Sequence, residues 1–478
     1  MVNFNFMIRR LDMEVVLVCA DEMVRASLGS LFKGKGFNVK TFSHPKDVSK
    51  EVSSDTILIS EHSPNVDCSE YFKKAGCVIA MVHPERAQDI ASLKDGGVFD
   101  AFLSPVAPGQ LTEALNRFLD GKKKLPLETK VLERDHLSDF ISAMMAKGAV
   151  YAPVMKEGRV SFEKVEKPSE VKLAYTSTIL PPKKLFQPTK ETVLRFNRVE
   201  AQVETPMVPV TPKAVLGVHP CDMQGILRTD WAFSETNPEE NYLNRRKETV
   251  FIGVSCCPDE HCFCQNLGTY NTREGFDAFM VDLGNKFVVE ILTEKAKNLL
   301  SNVKPLKPAT KEEISRAAKV KRDLSHPCRP LKFHPGLLPK LMEIAEDDRI
   351  WFDVANRCYS CGTCTLVCPS CYCFDVEDDV SLSNLSNGER IRLWDSCQSE
   401  GFALVATGEN FRKERSSRVK HRVFRKYYYL ANKYGDSFCV GCGRCARQCT
   451  AGIDIFDIVS TLSDRYALTL SGIAKKMD

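Results

Sequence analysis

Two runs of cysteine constrain this chain more than any other feature: Cys358-x2-Cys361-x2-Cys364-x3-Cys368-Pro369 and Cys439-x2-Cys442-x2-Cys445-x3-Cys449. Three cysteines at successive spacings of three let one tight loop wrap an iron–sulfur cubane, each thiolate reaching a different iron. In two-cluster ferredoxins the fourth cysteine ligates the other cluster. The spacing therefore predicts two 4Fe–4S clusters, one held by Cys358, Cys361, Cys364 and Cys449, the other by Cys439, Cys442, Cys445 and Cys368. Zinc is the competing metal, but its sites pair two CxxC units without a third cysteine at the same spacing. Thr450 stands where a proline usually follows the last cysteine, which changes the local turn and not the ligand count.

The remaining cysteines are too many to ignore. Of twenty, three lie before residue 125, five between 221 and 264, one at 328 and eleven between 358 and 449. Scattered structural thiols would not group this way, and in a reducing compartment such groups read as metal ligands rather than disulfides. No run of eighteen apolar residues and no signal-peptide pattern is evident, so a soluble, cytoplasmic protein without membrane insertion is expected. A net charge of +4 over 478 residues gives no reason to expect nucleic acid as a partner.

The chain divides into three expected domains, 1–122, 131–345 and 346–478. The first alternates apolar strands, VVLV (15–18), FNVKTF (37–42), TILIS (56–60), CVIAMV (77–82) and FDAFL (99–103), with helical stretches at 23–35 and 108–121. Five βα units of this kind predict an α/β doubly wound parallel sheet. This stretch resembles a response-regulator receiver domain with its chemistry removed. Ser60 takes the phosphoacceptor position, Cys19 and Ala20 the metal-binding acidic pair, and Ser104 before Pro105 the lysine. Without a carboxylate nucleophile, aspartyl phosphorylation has no route, and a docking module is the expected role. Cys19, Cys68 and Cys77 read as buried apolar residues or surface thiols.

The middle region reads as α+β, with a helix at 136–148, strands AVLGV (214–218) and TVFIGVS (249–255), a hairpin over 276–291 and an exposed connection at 304–313. HPCDMQG puts Cys221 just past one strand; SCCPDEHCFCQNLGT puts Cys256, Cys257, Cys262 and Cys264 just past the other. Loops leaving strand ends can meet on one sheet edge. Cys221, Cys256, Cys262 and Cys264 would then complete a four-thiolate site, with Cys257 or His261 in reserve. A third 4Fe–4S cluster, zinc and unligated thiols all remain open for this group.

Between the two C-terminal cysteine runs, RIRLWDSCQSEGFALVAT and RVKHRVFRKYYYLANKYG show helical periodicity, which predicts an all-α two-cluster domain over 346–478. Cys371, Cys373 and Cys397 exceed what two clusters need, and no clear fourth donor lies nearby. The basic, aromatic-rich segment 412–433 reads as a solvated helix face or a surface for an acidic partner.

With these motifs in view, the sequence resembles the four-iron dicluster family that includes the beta subunit of cytosolic NiFe hydrogenases (sulfhydrogenases), as well as a component of anaerobic sulfite reductase. The stretches that carry the resemblance are LPPKKLFQPTKETVLRF (180–196), VHPCDMQGILRTDWAF (218–233), NYLNRRKETVFIGVSC (241–256), CFCQNLGT (262–269), CGTCTLVCPSCYCFDV (361–376), WDSC (394–397) and CVGCGRCARQC (439–449). The resemblance implies a hetero-oligomeric electron conduit that links a flavoprotein NAD(P)H-type subunit to a hydrogenase, heterodisulfide reductase or sulfite reductase subunit. No G-x-G-x-x-G follows a strand, so a dinucleotide site of its own is not expected. A redox-sensing regulator that docks through the receiver-like domain is the alternative.

Overall fold

The computed structural model describes residues 14–103 and 126–470, apart from short stretches of which the longest are 87–92, 94–97 and 207–209. The helix expected at 108–121, Ser104, Pro105 and Cys68 lie outside the described residues.

The first sheet contains β1 (Glu14–Val18), β2 (Asn38–Phe42), β3 (Thr56–His62), β4 (Cys77–Val82) and β5 (Asp100–Leu103), all parallel, in the order β2-β1-β3-β4-β5. That order is the flavodoxin-like doubly wound one. Alternation along the strands explains burial on both faces: Val15, Leu17, Ile57 and Ile59 pack on one side, Val16, Val18, Leu58 and Val78 on the other. Ser60 is fully buried at the end of β3, and Glu61 beside it accepts the Ala20 amide at 2.8 Å.

The second sheet has eight strands: β6 (Glu128–Glu133), β7 (Ala149–Lys156), β8 (Arg159–Lys164), β11 (Lys213–Val218), β12 (Thr249–Val254), β13 (Ala278–Asp282), β14 (Lys286–Ile291) and β15 (Leu306–Pro308). Their order is β15-β6-β14-β13-β12-β11-β7-β8. Strand β11 runs parallel to β7 and β12, and β12 parallel to β13, while the hairpin β13–β14 and the outer pairs are antiparallel. Helix Leu137–Met145 covers one face through Phe140, Ile141 and Met144; helix Pro220–Ser234 covers the other through Met223, Ile226 and Phe233. Residues 304–313 are more ordered than a plain connection: β15 adds to the sheet edge, and Thr310 caps helix Lys311–Asp323 in a reciprocal bond with Glu313.

A third sheet corrects the expectation of an all-α C-terminal region. Strands β16 (Phe374–Val380) and β17 (Asn387–Trp394) form an antiparallel hairpin. Strand β17 then pairs with β9 (Lys190–Asn197), which pairs with β10 (Gln202–Glu204). RIRLW is therefore strand rather than helix, and 395–411 holds only the short 3-10 turn Glu400–Ala403. Both partners of β17 lie outside 387–404, β16 just before it and β9 far upstream, so periodicity within that stretch carries no sign of them. Around the cysteine runs the rest is helical: Ile350–Arg357, Arg415–Phe424 and Ile455–Arg465 bury Trp351, Phe424 and Phe456 in one core, which Phe263 joins from the middle region.

Candidate metal centre

The two cysteine runs fold into the same loop twice. Cys358 follows helix Ile350–Arg357, and Gly362 opens the one-turn helix Thr363–Leu366; in the second run Gly443 opens Arg444–Arg447. Hydrogen bonds repeat at equivalent positions: Thr365 N to Gly362 O (2.9 Å) and Cys368 N to Thr365 O (3.2 Å) match Ala446 N to Gly443 O (3.1 Å) and Cys449 N to Ala446 O (3.2 Å). Ser360 and Gly441, each two residues past the first cysteine of its run, both have positive φ, 55° and 66°. Equal cysteine spacing thus produces equal local geometry.

Cys368, from the first run, lines one small cavity with Cys439, Cys442 and Cys445 from the second; Phe263, Arg422, Lys426 and Ile455 complete the wall. The thiols surround a void instead of converging on a point. Among the described residues no three His, Cys, Asp or Glu side chains are placed to hold a single metal ion. Tetrahedral zinc would draw its sulfurs to about 2.3 Å from one centre, whereas a polynuclear cluster spreads them over its corners. The residues around this void therefore suit an iron–sulfur cluster.

The other expected set is less drawn together. Cys364 lies in the field of Cys358, and also of Cys445 and Cys397. Cys361 is exposed and bonds to Thr363 Oγ1 at 3.4 Å; Cys449 Sγ accepts the Ile453 amide at 3.3 Å. None of the hydrogen bonds among the described residues joins Cys361 or Cys449 to Cys358 or Cys364. Burial pushes the Cys364 and Cys442 thiols up to about 12 and Cys439 to about 11. Such thiols ionise at neutral pH only when a metal takes the place of the proton.

The middle cysteines sit against the second loop. Because β11 and β12 are parallel neighbours, Cys221 in the first turn after β11 and Cys256 after β12 leave the same sheet edge. Cys262, Cys264 and Tyr270 pack together with Cys221 beside them, and Cys256 lies in the field of Cys262. The second loop closes over this group. Phe263 N donates to Gly441 O at 2.9 Å, Thr269 Oγ1 to Val440 O at 2.7 Å, and Arg447 Nη2 reaches Cys262 Sγ at 3.2 Å. Burial raises Cys221, Cys256, Cys262 and Cys264 above the usual thiol range. Cys257 is exposed, and His261 Nε2 faces Glu260 Oε1 at 3.8 Å. Cys328, given no role by spacing, has its Sγ 3.8 Å from both Pro258 O and Gln265 Nε2; no sequence signal points to that proximity.

The surplus thiols form pairs. Cys371 hydrogen bonds to Cys368, which holds Cys368 below and Cys371 above the thiol range. Cys373 bonds to Cys397, and this bond brings Cys397 down to about 6. Lys183, buried, donates to Cys371 O at 2.7 Å and lies 4.5 Å over the Trp394 ring. The basic segment is solvated only in part: Lys413, Arg415 and Lys433 are exposed, whereas Arg418, Arg422 and Lys426 are buried.

Parts of the chain are similar to known proteins. A family model described as "4Fe-4S dicluster domain" matches residues 357–453. Sulfhydrogenase 2 subunit beta of Pyrococcus furiosus is 33% identical over 324 residues, 68% of this chain and 95% of that protein. Two solved receiver domains align with 23% of the chain. That from Clostridium thermocellum has 16% identity, a TM-score of 0.21 and 97% of its own length covered; that from Methanospirillum hungatei has 15%, 0.21 and 95%. Among the described residues no helix is long and apolar enough to cross a membrane. With its dicluster cysteines and a near-complete match to that relative, the chain belongs to the sulfhydrogenase beta-subunit family of iron–sulfur electron-transfer proteins.

Proposed function

We propose that this chain relays single electrons through two 4Fe–4S clusters within a cytoplasmic multi-subunit oxidoreductase. One would be held by Cys439, Cys442, Cys445 and Cys368, the other by Cys358, Cys361, Cys364 and Cys449. A third cluster would sit on Cys221, Cys256, Cys262 and Cys264. The observation that carries this reading is the void walled by Cys368 and the three cysteines of the second run, with the middle thiols against the same loop. Each cluster supplies reversible one-electron chemistry. The chain's own residues supply the rest: the glycine-opened loops fix the thiols, the apolar wall of Phe263, Val440 and Ile455 excludes water, and Arg447 donates toward the Cys262 sulfur.

The named relative is a beta subunit, which supports a hetero-oligomer here too. The partners would be a flavoprotein NAD(P)H-type subunit on one side and a hydrogenase, heterodisulfide reductase or sulfite reductase subunit on the other. Iron and labile sulfide in anaerobically reconstituted protein, with EPR on reduction, test the reading. About eight irons per chain are expected from the C-terminal set and about twelve if the middle site fills. Clearly fewer than eight would sink the two-cluster assignment.

A further inference from the structure

We propose that Arg422 and Lys426, on the buried basic stripe Arg418-x3-Arg422-x3-Lys426, are a fixed counter-charge to the cluster on Cys368, Cys439, Cys442 and Cys445. The inference rests on the cluster reading above and extends it to the residues that set the potentials.

Side chains four apart share one helix face, and here that face turns inward. Helix Arg415–Phe424 continues through the π turn Arg425–Tyr429, which carries Lys426, into helix Leu430–Tyr434. Arg418, Arg422 and Lys426 are 6%, 8% and 3% exposed. A buried cation needs a counter-anion, and three buried arginines among the described residues have one. Arg444 pairs with Asp222, Arg245 with Glu191 and Arg228 with Asp436.

The stripe's partners are different. Lys426 Nζ donates to Ser370 Oγ at 2.9 Å and to Phe438 O at 3.5 Å. Arg422 Nε has no hydrogen-bond partner. Both side chains line the cavity walled by the second set. Arg418 acts at the other end: its guanidinium donates to Arg412 O at 3.1 Å and to Ser360 Oγ at 3.4 Å, holding the Cys358–Cys361 loop.

A four-iron core held by four thiolates is anionic and gains a further negative charge on reduction. A cation fixed beside it stabilises the reduced form more than the oxidised one and raises the potential. Burial keeps that effect from being screened by salt. Arg422 and Lys426, on the wall of that cavity, would both raise the potential of the cluster it holds.

The test is an EPR-monitored redox titration of the full chain, anaerobically reconstituted, as wild type and as Arg422→Gln, Arg422→Lys, Lys426→Met and Arg415→Gln. Arg422→Gln should lower the reduced-to-oxidised ratio of that cluster about tenfold at fixed potential, about 59 mV for a one-electron couple. Lys426→Met should shift the same cluster, Arg422→Lys should restore wild-type midpoints, and exposed Arg415→Gln should change nothing. Iron lost in Arg422→Gln but kept in Arg422→Lys would equally support the charge role. Full iron loading with Arg422→Gln midpoints equal to those of Arg415→Gln would overturn it, as would equal iron loss in the Gln and Lys variants. Wild-type protein without an iron signal would overturn the cluster reading itself.

Discussion

A methyl group on Gly441 would stand 2.5 Å from the Cys264 amide nitrogen and 2.6 Å from its Cα. Gly443 presses the same way on His261, 2.6 Å from its carbonyl oxygen. Both have positive φ, which costs an L side chain about 1–2 kcal/mol before any clash. The obstructing atoms are backbone and cannot swing aside. Gly441→Ala should therefore lower the thermal midpoint and push the Cys439–Cys445 loop off the middle cysteines, with a fall in iron per chain. An unchanged midpoint with full iron would contradict the close packing. At this scale the eight C-terminal cysteines are legible because their spacing is a local property. The stripe is not: Arg418, Arg422 and Lys426 sit in a run whose composition reads as solvated, and only the packing of its helix shows which face turns inward.

Between elements, helix Pro220–Ser234 is tied to the second cysteine loop by the ionic contact of Asp222 with Arg444. Arg444 donates to Asp222 Oδ2 at 2.8 Å and to Thr178 through the main-chain oxygen at 3.0 Å and Oγ1 at 2.9 Å. Asp222 is wholly buried and Arg444 1% exposed. Removing one partner leaves an uncompensated charge in the interior, a loss of about 3–5 kcal/mol, whereas replacing both with apolar side chains avoids most of it. Asp222→Leu alone should thus destabilise strongly in denaturant unfolding, and Asp222→Leu with Arg444→Met should recover much of the loss. Additive losses in the double variant would mean that the two groups do not act as a pair. The strands on either side of this contact are visible in sequence, since AVLGV and TVFIGV are apolar runs ending in turn residues. The contact itself is not, because Asp222 and Arg444 are brought together only by the closed fold.

Across the whole molecule, the sheet β10-β9-β17-β16 takes two strands from residues 190–204 and two from 374–394. Residues on both sides of the expected boundary near 345 therefore share one hydrogen-bonded ladder. Glu191 in β9 is buried between Arg392 of β17 and Arg245, so the ladder carries charge pairing as well as backbone bonds. Phe263 enters the helical core around Trp351 and Phe456, and the loop at 440–442 bonds to residues 262–269. Residues 346–478 expressed alone would expose the unpaired edge of β17, leave Arg444 buried without its carboxylate and open the Phe263 position in the core. A free strand edge invites aggregation, and the unpaired arginine alone costs several kcal/mol. The fragment should be insoluble or lack cooperative unfolding, and should take up little iron under reconstitution. Co-expression with residues 127–345 should restore solubility and iron together, because that segment returns all three contacts at once. A soluble, cooperatively unfolding 346–478 fragment with a full iron complement would show that the cluster region folds by itself, with the shared sheet an accessory to it.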